Sequence, residues 1–254
     1  MNSTQKIALV TGGSRGLGRN TAIALSRKGI DVIVTYHTRK EDAEAVVKEI
    51  QGNGRKAAAL QLDASDVSSF DAFVSSLVDV LNEKWNRDQF DILVNNAGFG
   101  FHVSIAETTE EQFDSMMNVQ FKGVFFLSQK LFPRIADNGR VVNISTGLTR
   151  FVLDGFGAYS AMKGAIEILT KYMAKEWGKR GIRVNAVAPG AIATDFGGGA
   201  VRDNREMRDF IGSNTALGRV GEADDIGGVV ASLCTDEMGW VNAQRLEASG
   251  GQLL

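Results

Sequence analysis

Tyr159 and Lys163 stand four residues apart in the run Tyr159-Ser160-Ala161-Met162-Lys163, inside a segment of helical period. That spacing puts both side chains on one helix face, so the ammonium can sit beside the phenol. A free phenol titrates near ~10 and gives up its proton readily at neutral pH only with a cation close by, each unit of depression being worth about 1.4 kcal/mol. Ser145 ends a short apolar run upstream of this pair. A phenol, an ammonium and a hydroxyl are the groups needed to protonate or hydrogen-bond an oxygen that gains negative charge.

A second set of residues suits a phosphate. Thr11-Gly12-Gly13-Ser14-Arg15-Gly16-Leu17-Gly18 follows the first apolar run and opens a helical pattern. Glycines there allow a sharp turn and a close backbone approach to a pyrophosphate, and the free N–H groups of the helix start face its charge. The spacing is Gly-x-x-x-Gly-x-Gly. A fold of this kind that prefers NAD places an acid at the end of the second strand to hold the ribose 2′-hydroxyl. Here that stretch reads Val34-Thr35-Tyr36-His37-Thr38-Arg39, with no acid. A 2′-phosphate would instead meet Arg15, Thr38, Arg39 and His37, which predicts NADP(H) in preference to NAD(H). Arg39 also suits a solvated first turn beside Lys40, Glu41 and Asp42.

The elements that must position these groups are β-branched runs at 7–11, 31–35, 56–61, 90–95, 140–144, 183–188 and 244–247. They alternate with helical patterns at 16–28, 40–52, 67–85, 109–132, 156–179 and 223–235. Most of the strand runs are continuously apolar, as in parallel strands covered on both faces. The alternation predicts an α/β fold of repeated βαβ units in one domain over 1–254. Residues 195–221 break the rhythm with Gly197-Gly198-Gly199 and a charged helical piece. Lying after the sixth strand, at the carboxyl end of the sheet, they are expected to form a substrate lid.

Composition narrows the classes. The 254 residues carry 28 Lys+Arg against 30 Asp+Glu, a net charge of −2, which gives no basic field for nucleic acid. Two His and one Cys, without paired metal-ligand spacings, predict no metal site. Cys234, in an apolar run, reads as a small buried hydrophobe. The opening Met1-Asn2-Ser3-Thr4-Gln5-Lys6 lacks a signal-peptide core and no run reaches membrane-spanning length, so a cytoplasmic protein without membrane contact is expected.

Two more motifs complete the pattern: Asn95-Asn96-Ala97-Gly98 at the end of the fourth strand, and Pro189-Gly190 running to Thr194 after the sixth. With the glycine loop, Asn118, Ser145, Tyr159 and Lys163, they resemble the short-chain dehydrogenase/reductase family, over nearly the whole chain to Ser249-Gly250-Gly251. The resemblance implies a Rossmann fold, a doubly wound seven-stranded parallel sheet with helices on both faces, and hydride transfer between a nicotinamide and a carbonyl or alcohol carbon. It implies Tyr159 as the acid in reduction and the base in oxidation, and Lys163 on the nicotinamide ribose, lowering the phenol's pKa. Ser145 would bond the substrate oxygen and Asn118 would help hold a water on the proton path. It further implies that Gly12, Ser14, Arg15, Gly16, Leu17 and Gly18 of the turn, and Tyr36, His37, Thr38 and Arg39 after the second strand, bind the cofactor. Asp63 and Ala64 would lie near the adenine, Asn95, Ala97 and Gly98 on the adenosine side, and Pro189, Gly190, Ile192 and Thr194 by the carboxamide. Asp63, with Asp66 nearby, suits a helix cap equally well.

Phe99, Phe101, Leu148, Arg150, Phe151 and Phe156 are expected to face the substrate, with His102 a loop residue among them. This mostly apolar and aromatic lining suits a hydrophobic ketone or β-keto ester. The pattern looks like the 3-oxoacyl-acyl-carrier-protein reductase-like branch, which includes carbonyl reductases. Residues 133–140 are only mildly basic, so the acyl carrier protein ranks as an alternative partner below a small carbonyl or alcohol substrate. A catalytically silent NADP(H)-binding sensor or scaffold is the alternative from another class. Ala243 stands where family members commonly carry Gly before Gln, at little cost unless the backbone there needs a positive φ. A homotetramer is expected by resemblance, because the long helices and the C-terminal strand usually form interfaces in the family.

Overall fold

The central strands are aliphatic runs that can be buried on two sides, and the edge strands β3 and β7 complete a seven-stranded parallel sheet. The computed structural model describes residues 5–254; residues 1–4, on which the expectation of no export signal partly rests, lie outside the described residues. In chain order the elements are β1 (Ile7–Val10), α1 (Gly16–Arg27), β2 (Asp31–Tyr36), α2 (Lys40–Gly52), β3 (Ala57–Gln61), α3 (Phe70–Trp85), β4 (Phe90–Asn95), α4 (Glu110–Met117), α5 (Val124–Leu131), β5 (Ile135–Ile144), α6 (Gly157–Trp177), β6 (Arg183–Pro189), α7 (Ala200–Asp203), α8 (Arg205–Ser213), α9 (Ala223–Leu233) and β7 (Arg245–Ala248).

The sheet runs β3-β2-β1-β4-β5-β6-β7. The order reverses between β1 and β4, and in open α/β sheets the ligand crevice opens there, outside the carboxyl ends of the strands. Alternate residues serve opposite faces. Ala8 and Val10 of β1 join a cluster with Leu25, Ile50, Ile226 and Val230 from α1, α2 and α9. Ile7 and Leu9 join Leu77, Leu81, Leu127, Leu131 and Met173 from α3, α5 and α6 on the other face. The fold is therefore a doubly wound Rossmann sheet, as the family resemblance implies and as the βαβ rhythm allows. Among the described residues no helix is long and apolar enough to cross a membrane.

Three departures from the expected elements bear on the site. The single helix expected over 109–132 is interrupted by a π-helical turn, Asn118–Gly123, between α4 and α5. A β-carbon at 123 would collide with the Ala64 carbonyl oxygen, so only glycine lets this turn rest against the segment after β3. Next, β5 starts at Ile135 rather than 140, with a register shift where Phe90 pairs Ile135 and Ile92 pairs Arg140. Finally, the segment after β6 folds as a 3-10 turn, Phe196–Gly199, followed by α7 and α8. Its three glycines all lie at positive φ, from 60° to 84°.

Candidate active site

The glycine-rich turn after β1 is locked to its neighbours by side chains that flank it. Thr11 Oγ1 accepts from the backbone N–H groups of Asn96 (2.9 Å) and Ala97 (3.0 Å), and Asn96 Nδ2 returns a bond to the Thr11 carbonyl at 2.9 Å. On the other side, Gly12 N donates to Thr35 Oγ1 at 3.1 Å. Gly12 is thus held on both sides, with Ala97 packed against it. Arg15 is the N-cap of α1 but provides no capping side chain, and the first turn holds no acid. The N–H groups at Gly16, Leu17 and Gly18 are therefore left for an anion, the arrangement that fits a pyrophosphate. Leu17 turns its side chain onto the core.

At the adjoining edge, Tyr36 ends β2, Thr38 is exposed, and Arg39 reaches Asp42 at 3.4 Å. His37 Nε2 lies 3.5 Å from Asp63. Burial disfavours the Asp63 carboxylate, but bonds from the Ser65 hydroxyl and N–H, with His37 nearby, hold its pKa below the ordinary value. Arg15 meets Asp195 at 3.5 Å, from the segment following Thr194. Beyond β6, Pro189 and Gly190 lead to Ala191, whose N–H donates to Gln252 Oε1 at 2.9 Å, and Ile192 bridges to Gly221.

Tyr159, Lys163 and the end of β5 meet at the centre. Tyr159 is 7% exposed and Lys163 5% exposed. Lys163 Nζ donates to the Ile144 carbonyl at 2.8 Å. Burial pushes the Tyr159 phenol above its usual pKa, opposed by a hydrogen bond with the Thr146 hydroxyl, and pushes Lys163 down to about 7. The phenol packs with Met116, Met162, Phe99, Leu148 and Phe156. Gln120, in the π turn that Asn118 opens, donates to the Phe99 carbonyl and fixes the loop after β4.

Three expected placements are corrected. The Ser145 hydroxyl does not face Tyr159; it donates to Glu167 Oε1 at 2.7 Å, while its neighbour Thr146 meets the phenol. Both residues lie just past β5; Thr146 is extended, and neighbouring residues of extended backbone point to opposite sides. Arg150 does not reach toward a substrate: its guanidinium grips both oxygens of Glu247 (2.7 and 2.6 Å) and the Gln252 and Leu253 carbonyls, anchoring the C-terminal residues. Asn95 commits its amide to Ser128 Oγ (3.0 Å) and Asn143 Oδ1 (2.8 Å), so its side chain braces α5 and β5 inside the core.

Aromatic side chains gather beside Tyr159. Phe101 stacks edge-on to Phe99, and His102 to Phe156. The loops carrying them are joined by Val103 N to Gly155 O at 2.9 Å. Phe151 lies under the Arg150 guanidinium and against Gly147. Phe196, which sequence reasoning missed, lies 5.5 Å from the Tyr159 ring. Thr146, Gln120 and Glu167 were also missed; the doublet Ser145-Thr146 was the one signal that two hydroxyls competed for the same role.

A Rossmann sheet with an uncapped phosphate turn and a buried Tyr–Lys pair defines a nicotinamide-dependent oxidoreductase. The comparisons agree. A family model described as enoyl-(acyl carrier protein) reductase matches residues 12–252. The chain is 35% identical over 251 residues to the 3-oxoacyl-[acyl-carrier-protein] reductase FabG of Staphylococcus aureus, covering 98% of both chains. Among solved structures it resembles the promiscuous reductase LugOII, which catalyses keto-reduction at C1 in lugdunomycin biosynthesis, with a TM-score of 0.93, 39% identity and 99% of each chain covered. It also resembles the angucycline C-6 ketoreductase LanV with bound NADP, with a TM-score of 0.92, 35% identity, and 98% of this chain and 95% of that one covered. The chain belongs to the short-chain dehydrogenase/reductase family.

Proposed function

We propose that this enzyme uses NADPH to reduce an apolar ketone or β-keto ester to a secondary alcohol. The observation that carries this reading is the Tyr159 phenol, buried with Lys163 and Thr146 beneath an aromatic mouth. A bound reduced nicotinamide supplies the hydride. Tyr159, kept neutral by burial, gives its proton to the substrate oxygen as charge gathers there. Thr146 has one O–H to donate, and in reduction it turns that proton to the substrate oxygen as charge gathers there, beside the phenol it neighbours. Asn118, which opens the π turn, is assigned to hold a water on the proton path on the strength of the family resemblance.

The uncapped start of α1 supports pyrophosphate binding, and Arg15, Thr38 and Arg39 around the end of β2 support a 2′-phosphate. Ketone reduction by LugOII and LanV, and the NADP bound to LanV, support the same choice. Phe196 beside Tyr159, with the glycine triplet that follows, supports residues 195–221 as a substrate lid. Phe113, Phe125, Ile168 and Tyr172, exposed on α4, α5 and α6, support these helices as a subunit interface in a homotetramer. The test follows nicotinamide absorbance with NADPH and NADH against apolar ketones, β-keto esters and acyl thioesters. Faster oxidation of NADPH with ketones is the expected result. Turnover of carrier-bound thioesters alone would move the role to fatty-acid or polyketide reduction, the reading favoured by the FabG relative.

A further inference from the structure

Glu167 lies on the same stripe of α6 as the reactive pair, one turn beyond Lys163 and two beyond Tyr159. Its Oε1 accepts three bonds of 2.7 Å, from Ser145 Oγ, Thr149 Oγ1 and Arg245 Nε. The Glu167 side chain is 16% exposed and that of Arg245 23%. Arg245 also donates to the Thr146 carbonyl at 3.2 Å, and its other arm pairs with Glu247 at 2.9 Å. One carboxylate and one guanidinium, from α6 and β7, thus hold both residues of the Ser145-Thr146 doublet, one by its hydroxyl and the other by its backbone.

We propose that Glu167 and Arg245 are positioning residues that decide which of the two hydroxyls serves Tyr159. Glu167 captures Ser145, and Arg245 fixes the peptide of Thr146 so that its hydroxyl stays on the phenol. The inference rests on the reductase reading above. A planar guanidinium suits this role, because it can bond a carboxylate and a carbonyl at once in fixed geometry, whereas an ammonium is a single flexible point charge. A neutral amide at 167 keeps the shape but weakens both the grip on Ser145 and the attraction to Arg245.

The test is a double-mutant cycle between Glu167→Gln and Thr146→Ala, read as kcat with a reducible ketone, together with crystal structures of the single variants. Thr146→Ala is expected to lower kcat on the order of 10²-fold, the usual effect of removing a hydrogen-bond donor from the reacting oxygen, and Ser145→Ala to cost far less. Glu167→Gln should lower kcat about 10-fold through displacement of a reacting group, with little change in KM for NADPH and almost no further loss in the Thr146→Ala background. Arg245→Lys should fall between wild type and Arg245→Met, and it serves as the second variant if Glu167→Gln folds poorly. In the Glu167→Gln crystal structure, Ser145 or Thr146 should have changed rotamer or backbone position. Additive losses in the cycle would overturn the proposal, as would a Glu167→Gln structure with both hydroxyls unmoved. Wild-type enzyme inactive on every ketone would overturn the reductase reading instead, and the crystal structures would still decide the positioning role.

Discussion

Lys163 stands with its ammonium 5.8 Å from the ring centre of Tyr159, four residues back on the same buried face of α6. Burial acts on the two groups in opposite directions, raising the phenol's pKa and lowering that of the lysine to about 7. Between pH 7 and the ordinary lysine value of 10.5, the unfolded chain holds a proton at Lys163 that the folded protein lacks. Stability from this group therefore rises with pH across that window, and below pH 7 the penalty is fully present. The expected outcome is that Lys163→Met flattens this rise, by at most about 5 kcal/mol over the whole window. Urea midpoints of both proteins from pH 7 to 10 check it. Parallel pH profiles would contradict burial as the cause.

Arg39 reaches only Asp42 in the ligand-free protein, at 3.4 Å, so its guanidinium can turn to a 2′-phosphate at small cost. Arg39→Ala should raise KM for NADPH about 10-fold, the low end for a charged hydrogen bond, and leave KM for NADH nearly unchanged. Steady-state kinetics with each nucleotide decide it. Equal effects on both would reduce Arg39 to surface charge.

Ala243 adopts φ 60°, the left-handed conformation that its place before Gln244 left in question. Its methyl also packs on the core face beneath α3 and α6. Relief of about 1 kcal/mol of left-handed strain in Ala243→Gly is offset by the greater freedom of an unfolded glycine and by the lost methyl contact. That variant should match or slightly exceed wild type in denaturant midpoint. Ala243→Val, with a β-branched side chain at positive φ, should be clearly less stable than both.

Much of the fold was legible because the strands are apolar runs too short and too regular to be anything else between helical patterns. The phosphate turn was legible because its glycines follow β1 directly. What escaped depends on facts that the chain order hides. Whether Ser145 or Thr146 faces Tyr159 is a matter of parity along extended backbone, and one residue reverses it. The break at Asn118–Gly123 carries no proline to announce it, and the close approach of Gly123 to Ala64 involves a distant loop. Arg150 sits among aromatic lining residues in sequence, yet Glu247, 97 residues away, takes its charge. Asn95 lies at the end of a cofactor-side strand, and only packing shows its amide turned to Ser128 and Asn143.

The central claim is that Tyr159 delivers the proton, and Tyr159→Phe tests it most directly because it removes one buried hydroxyl and keeps the ring that packs with Met116, Met162 and Phe196. With a ketone that the wild type reduces, kcat should fall at least about 10²-fold, the lower range for loss of a positioned acid, while the dissociation constant for NADPH measured by fluorescence stays within about 2-fold, since a small change in affinity is worth under half of 1.4 kcal/mol. Wild-type turnover by the Tyr159→Phe enzyme would contradict the account.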